Sequence, residues 1–191
     1  LSYTDRYEPE LVVDLATLSG SCIVAFGQAA AGVLTSETDA AAERLYAIQR
    51  AGEWTGERVH HPPVYDVYKE HLESGIADLK NVGGKTVGAS TAGKFLEHFV
   101  GDVPWLHLDI AGPAFRTTSH AHHPAGGTGL GVRLLADYLS THVATRSGTD
   151  SHGQIVSLDT PSNQTDRLMR IQRPTFQRPE PPAPNVAPTR V

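Results

Sequence analysis

The sequence is poor in several things that would settle its class at once. It holds a single cysteine, Cys22, so no internal disulfide forms and a reducing, cytoplasmic setting is the expectation. No run is long and apolar enough to span a bilayer, so no membrane is expected as a partner. The opening Leu1-Ser2-Tyr3-Thr4-Asp5-Arg6 has neither the basic nor the apolar segment of a secretion signal. It begins on Leu, which suggests a processed chain, an unusual start or a piece of something longer. Basic clusters are missing and the net charge is −5, which argues against nucleic acid. No G-x-S-x-G elbow accompanies Ser19 or Ser21. Asn81-Val82-Gly83-Gly84-Lys85-Thr86 ends like a phosphate loop, but the first glycine that loop needs falls on Leu79; the stretch reads as structural packing.

What is present is enough chain for one sizeable core, patterned as alternating strands and helices. Leu11–Thr17 is apolar and β-branched, a strand. Ser21–Gly27 is short and apolar, helix or strand. Gly32–Thr35 reads as a further strand. Asp39–Ala51 has Ala42, Leu45, Tyr46 and Ile48 at helical spacing, with Gly52 as the stop. His61-Pro62-Pro63 forces a loop, Tyr65–Leu72 is a short helix, and Thr91–Val100 is an amphipathic helix with Phe95, Leu96 and Phe99 on one side. Trp105–Gly112 alternates, with Leu106, Leu108 and Ile110 facing one way and Trp105, His107 and Asp109 the other. Val132–Val143 is the last helix. The order implies an α/β fold, a layered mixed sheet with helices on both faces. Residues 1–145 form this partial domain. From about Arg146 the composition turns to Ser, Thr, Gln, Arg and Pro, with five prolines in Pro179–Pro188; this low-complexity tail, 146–191, is expected to be disordered.

Three segments, in order, carry a resemblance: "VVDLATLSGSCIVAFG", "ESGIADLKNVGGKTVGASTAGKFLEHFV" and "WLHLDIAGPAF". Over roughly Leu11–Tyr138 the chain resembles the second half of the catalytic domain of leucyl aminopeptidases, the cytosol aminopeptidase family. The resemblance implies a metalloexopeptidase that removes leucine-like N-terminal residues from peptides with a free N-terminus. Two divalent ions, manganese or zinc, hold the attacking water, a lysine and an arginine with bound bicarbonate assist, and the enzyme assembles as a homo-hexamer. It also implies that Thr17, Leu18 and Gly20 touch the substrate and bicarbonate region, and that Ala111 and Ala114 line the pocket for the first side chain. Both groups lie where strands end, which is where ligands sit in α/β sheets.

The same resemblance marks a departure. The family's metal ligands lie upstream, in a lysine and aspartate motif and in N-T-D-A-E-G-R. Only about ten residues precede the first matching segment here, and none reads that way. Thr38-Asp39-Ala40-Ala41-Ala42-Glu43-Arg44 echoes the second motif but follows the "ATLSG" segment. It is better explained by Thr38 or Ser36 capping a helix whose first turn is acidic. No catalytic residue and no metal ligand is therefore assigned within the chain, and the ligands are expected outside it. His107 and Asp109 share a strand face and read as buried polar groups satisfied by backbone or neighbours. Ser119–His123 and His60-His61 read as solvated loop histidines, and Cys22 as core. Two readings follow: part of an aminopeptidase, or a non-catalytic remnant that keeps the pocket wall and the oligomer contacts as a scaffold. Half a domain should also leave a strand edge open, favouring poor solubility or association.

Overall fold

A computed structural model describes residues 1–120 and 124–142. The expected tail, most of the histidine loop and Val143 lie outside the described residues. Among the described residues six strands form two sheets, with four α-helices and two short 3-10 segments around them. The larger contains β1 (Val12–Ala16), β2 (Ala31–Leu34), β3 (Val59–His60) and β4 (Trp105–Asp109) in the order β1-β4-β2-β3. β1 runs parallel to β4 and β3 parallel to β2, while β2 and β4 are antiparallel. The smaller sheet pairs β5 (Phe115–Arg116) with β6 (Gly126–Gly127). The helices are α1 (Gly20–Phe26), α2 (Asp39–Thr55), α3 (Gly88–Glu97) and α4 (Val132–His142), with a 3-10 segment at Asp66–Leu72.

The sheet separates two apolar clusters. Val33, Leu106 and Leu108 point to one side, against Ile48 and Ala51 of α2 and Leu134 and Tyr138 of α4. Val12, Leu34 and Trp105 point to the other, with Val64, Val100 and the flank of α3. This is the expected mixed sheet with helices on both faces. All five residues of β4 are buried, because the sheet is covered on both sides. Its alternation therefore sorts residues between two cores, with Trp105, His107 and Asp109 in the more polar one.

Two helices differ from the pattern read in the sequence. Gly52 does not stop α2. The helix runs on to Thr55 and ends at Gly56, whose φ of 75° is the left-handed conformation that closes a helix. Its buried face is Ala41, Ala47, Ile48, Ala51 and Gly52, while Tyr46 is exposed. α3 starts three residues early and buries Ala89, Ser90, Thr91, Gly93 and Lys94, leaving Phe99 partly in solvent. The reason is the same in both cases: close packing selects small residues, Gly52 lying against the backbone of Glu57 and Val59 and Gly93 against the Leu34 side chain. The acidic turn after Thr38 is a cap, since the Thr38 hydroxyl accepts from Ala41 N at 3.2 Å.

Two buried charges tie the layers together. Glu57, only 4% exposed, accepts from Gly131 N at 3.0 Å and Leu134 N at 2.9 Å, so a residue beyond α2 caps the start of α4. Arg133 lies 3.2 Å from its other oxygen. Lys94 on α3 is 4% exposed and reaches Glu97 at 2.6 Å and Asp66 at 2.9 Å. Burial works against its charge, but the hydrogen bonds and charges of Glu97 and Asp66 outweigh it and raise its pKa above the ordinary lysine value. The bonds from Lys94 and then Lys69 lower the Asp66 carboxyl to about 2.

Glu57→Ala leaves two backbone donors without an acceptor and should cost on the order of 2–3 kcal/mol in urea unfolding, with Glu57→Gln losing less. The Lys94 cluster sets opposite pH limits. Lys94 has a raised folded pKa, so its contribution is complete below about pH 10.5 and fades as pH climbs through the folded value. Asp66 has a lowered one, so its contribution is complete above about pH 4 and fades as pH falls toward about 2. The stability gap between the wild type and Asp66→Asn, followed by thermal melts, should be flat at neutral pH and close in acid; a gap that widens in acid would refute this.

Candidate active-site wall

The five residues singled out in the sequence come together at one pole of the sheet. Because β1 and β4 are parallel neighbours, with Ala16 opposite Asp109, their carboxyl ends lie side by side. Thr17 and Leu18 follow β1, Gly20 opens α1, and Ala111 and Ala114 follow β4. Thr17 and Gly20 are exposed, and Ala111 and Ala114 half-buried. A side chain on Gly20 would meet no atom, so the space in front of the first turn of α1 is open. Leu18 differs from the others: its side chain packs onto the cluster around Trp105 and Val12, leaving its backbone at the pole.

Asp109 holds this pole together. Its Oδ1 accepts from Leu18 N at 3.1 Å and Ala111 N at 3.1 Å, and its Oδ2 from Ser19 N at 3.0 Å and the Ser19 hydroxyl at 2.7 Å. The loops after β1 and β4 are thus fastened to one carboxylate. Ser19 also caps α1 by accepting from Cys22 N at 3.2 Å, so it is a cap and not a nucleophile. Cys22 is 2% exposed, and burial, then the hydrogen bond and charge of Asp109, push its thiol up to about 12. Such a thiol stays protonated and inert, as its place in the core implies.

Asp14, the odd carboxylate in an apolar strand, belongs to the same face. It accepts from Trp105 Nε1 and bonds His107 Nδ1, each at 2.6 Å. Together with Asp109 it forms a polar line between β1 and β4 that runs up to the pole. The line is buried at His107, whose Nε2 has no partner among the described residues. Behind the pole, Gly112 packs so closely on the carbonyl of Gly27 that a side chain would overlap it, and Arg116 reaches Gln28 at 3.4 Å. The loop after β4 is therefore braced by the turn that leaves α1. Ala114 is fixed by its own N–H to Ile110 O at 3.0 Å and by accepting from Thr128 N at 3.0 Å.

The sequence reading found the loops but not the residues that position them. His107 and Asp109 read only as satisfied buried groups, which holds for Asp109 and for one nitrogen of His107. The missed signal is a carboxylate at the last position of a buried strand, beside serine and small residues that follow a parallel neighbour. A cavity of about 720 Å³ lies at the other end of the sheet, among Lys69, Glu73, Lys94, His98 and Pro104; it does not meet the pole. Among the described residues no group of three or more His, Cys, Asp or Glu is placed to hold a metal ion. The residues present thus do not fit a metal pair by themselves.

Comparison with known proteins identifies the family. The profile of the cytosol aminopeptidase family, catalytic domain, matches residues 1–136. A probable cytosol aminopeptidase of Geobacter sulfurreducens is 48% identical over 143 residues, 75% of this chain and 28% of that protein. One from Chloroherpeton thalassium is 49% identical over 136 residues, 71% of this chain and 26% of its own length. Among solved structures, a tomato leucine aminopeptidase mutant superposes with a TM-score of 0.64 at 36% identity, covering 73% of this chain and 26% of that one. The bottromycin maturation enzyme BotP gives 0.68 at 32% identity, covering 73% of this chain and 31% of its own. It has also been solved in complex with Mn, matching with a TM-score of 0.64. These matches define the class: the chain belongs to the cytosol aminopeptidase family, whose catalytic domain it matches in part. It spans a little over a quarter of the length of the curated relatives it matches.

Asp109→Ala strands three backbone donors at a half-buried pole and should lower stability by on the order of 3 kcal/mol. Asp109→Asn keeps one acceptor and should fall between. Urea unfolding of the three proteins checks the order; an alanine variant as stable as wild type would show that the clasp holds nothing.

Proposed function

We propose that the chain forms the substrate-side wall of a metal-dependent aminopeptidase acting on leucine-like N-termini. The observation that supports this most directly is the Asp109 clasp. It fastens the loop carrying Thr17 and Gly20 to the one carrying Ala111, with Ala114 further along the second loop, and the start of α1 is open in front. Small residues leave room for an apolar side chain, and the clasp keeps them in register without lending its own carboxylate to chemistry. Asp109 is therefore a positioning residue on this reading. Peptides with a free N-terminus are the substrates, a homo-hexamer the assembly and the cytoplasm the location, in keeping with relatives named cytosol aminopeptidases; no helix among the described residues is long and apolar enough to cross a membrane.

Two manganese or zinc ions would supply the activated water, but these 191 residues carry neither ligand motif. The second reading, for the 191 residues alone, is a wall without turnover. β1 is consistent with this: it is the edge of its sheet among the described residues, paired only with β4, and offers a row of backbone groups to a further strand.

Purified alone, the 191-residue chain should not hydrolyse a leucine chromogenic amide with added manganese; turnover abolished by a chelator would sink the second reading. Mixed with the segment of the Geobacter relative that precedes its matching region, the chain should yield chelator-sensitive hydrolysis. Ala114→Trp should then raise KM for leucine amides far more than for alanine amides, by about tenfold or more. Equal effects on both would remove Ala114 from the pocket.

A further inference from the structure

On the side of the molecule formed by α2 and α4, an aromatic groove of about 730 Å³ is lined by Tyr46, Arg50, Glu53 and Trp54 of α2 and by Asp137 and Thr141 of α4. Trp54 is 84% exposed and Tyr46 63%. Tyr46, Arg50 and Trp54 are spaced four apart, so they form one stripe along the helix, with the Arg50 guanidinium 5.9 Å from the Tyr46 ring centre. Indole and phenol rings lie open here although the same helix buries alanines and glycine on its other side. An exposed pair of this kind marks a docking surface more than a solvated face.

We propose that the occupant is the chain's own proline-rich segment, Pro179–Pro188. Three observations select it. Thr141, on the rim of the groove, is two residues from the point where the chain leaves α4's described part, and 49 residues follow His142. The segment reads Pro179-Glu180-Pro181-Pro182-Ala183-Pro184, which contains P-x-x-P twice in overlapping register. Such a sequence favours the extended polyproline II helix, whose ordering costs little entropy, and aromatic-lined grooves are the surfaces that take it. The one charge within Pro179–Pro188 is Glu180, and the groove offers it Arg50, beside Glu53 and Asp137. The 36 residues 143–178 tether the segment to α4, and a tether of that length gives an effective concentration on the order of 1 mM, so even a contact of about 100 μM between separate molecules fills the groove in most chains.

The two tryptophans make the test direct, because Trp105 is fully buried and Trp54 is the exposed one. Acrylamide quenching of the full chain therefore reads Trp54, with the unquenched Trp105 emission reporting that the fold is intact. The full chain should resist quenching about twofold more than a full-length variant with Pro181, Pro182 and Pro184 replaced by serine, and more than Tyr46→Ala. Equal quenching in all three overturns the proposal. Protection that disappears on dilution means that a second copy's tail fills the groove, and overturns docking within one chain. Protection kept when the prolines are replaced but lost with Tyr46→Ala overturns this choice of segment. None of these outcomes depends on hydrolysis, so the docking and the aminopeptidase reading fail separately.

Discussion

One carboxylate at the end of one strand organises the pole on which the rest of this domain's chemistry would stand. Asp109 receives four hydrogen bonds from two loops, and each of those loops carries residues of the candidate wall. The fold delivers this by making β1 and β4 parallel. Their carboxyl ends then share a level, and a side chain at the end of one reaches the backbone of the other. Had the pair been antiparallel, the loops after β1 and β4 would lie at opposite ends of the sheet. The antiparallel β2 contributes in another way. Its entry turn lies under the loop after β4, where the absence of a side chain on Gly112 lets the two backbones meet.

The energetics of the domain follow a common pattern: charge is admitted to the interior only where backbone or an opposite charge receives it. Asp109 takes N–H groups, Glu57 takes the start of α4, Asp14 takes an indole and an imidazole, and Lys94 takes two carboxylates. Each of these links elements distant in sequence. The apolar clusters supply the larger share of cohesion on each side of the sheet, but they are tolerant of small shifts. The polar links are directional, so they define where the layers sit relative to one another.

Much of this was legible in the sequence. The positions of β1, β2 and β4 followed from apolar, β-branched runs, and the start of α2 from the Thr38 cap, because both signals are local; the two-residue strands β3, β5 and β6 are too short to leave such a signal, and His60, read as a solvated loop histidine, lies in β3. The order of three motif segments was enough to reach the family. The buried faces of α2 and α3 were not legible, since hydrophobicity pointed to Tyr46 and Phe99 while close packing chose Ala47, Gly52 and Gly93. Gly52 was misread as a stop because a glycine needed for packing against Val59 looks the same as one needed for a left-handed turn. The candidate wall was found only as loops. The role of Asp109 depends on a pairing that no local pattern contains, and that of Asp14 on a strand more than ninety residues away.

That separation has a kinetic meaning. Leu18 and Ser19 meet Asp109 across 91 and 90 residues of chain, so the loops after β1 and β4 cannot be fastened until nearly everything between them has been brought into place. Long-range closure of this kind is entropically slow and comes after local structure. The pole is thus a late product of folding: a chain with native helices but an unpaired first strand would already bury much of its apolar surface, yet would present no wall at all. This arrangement delays the assembly of the candidate wall until the elements around it are in place.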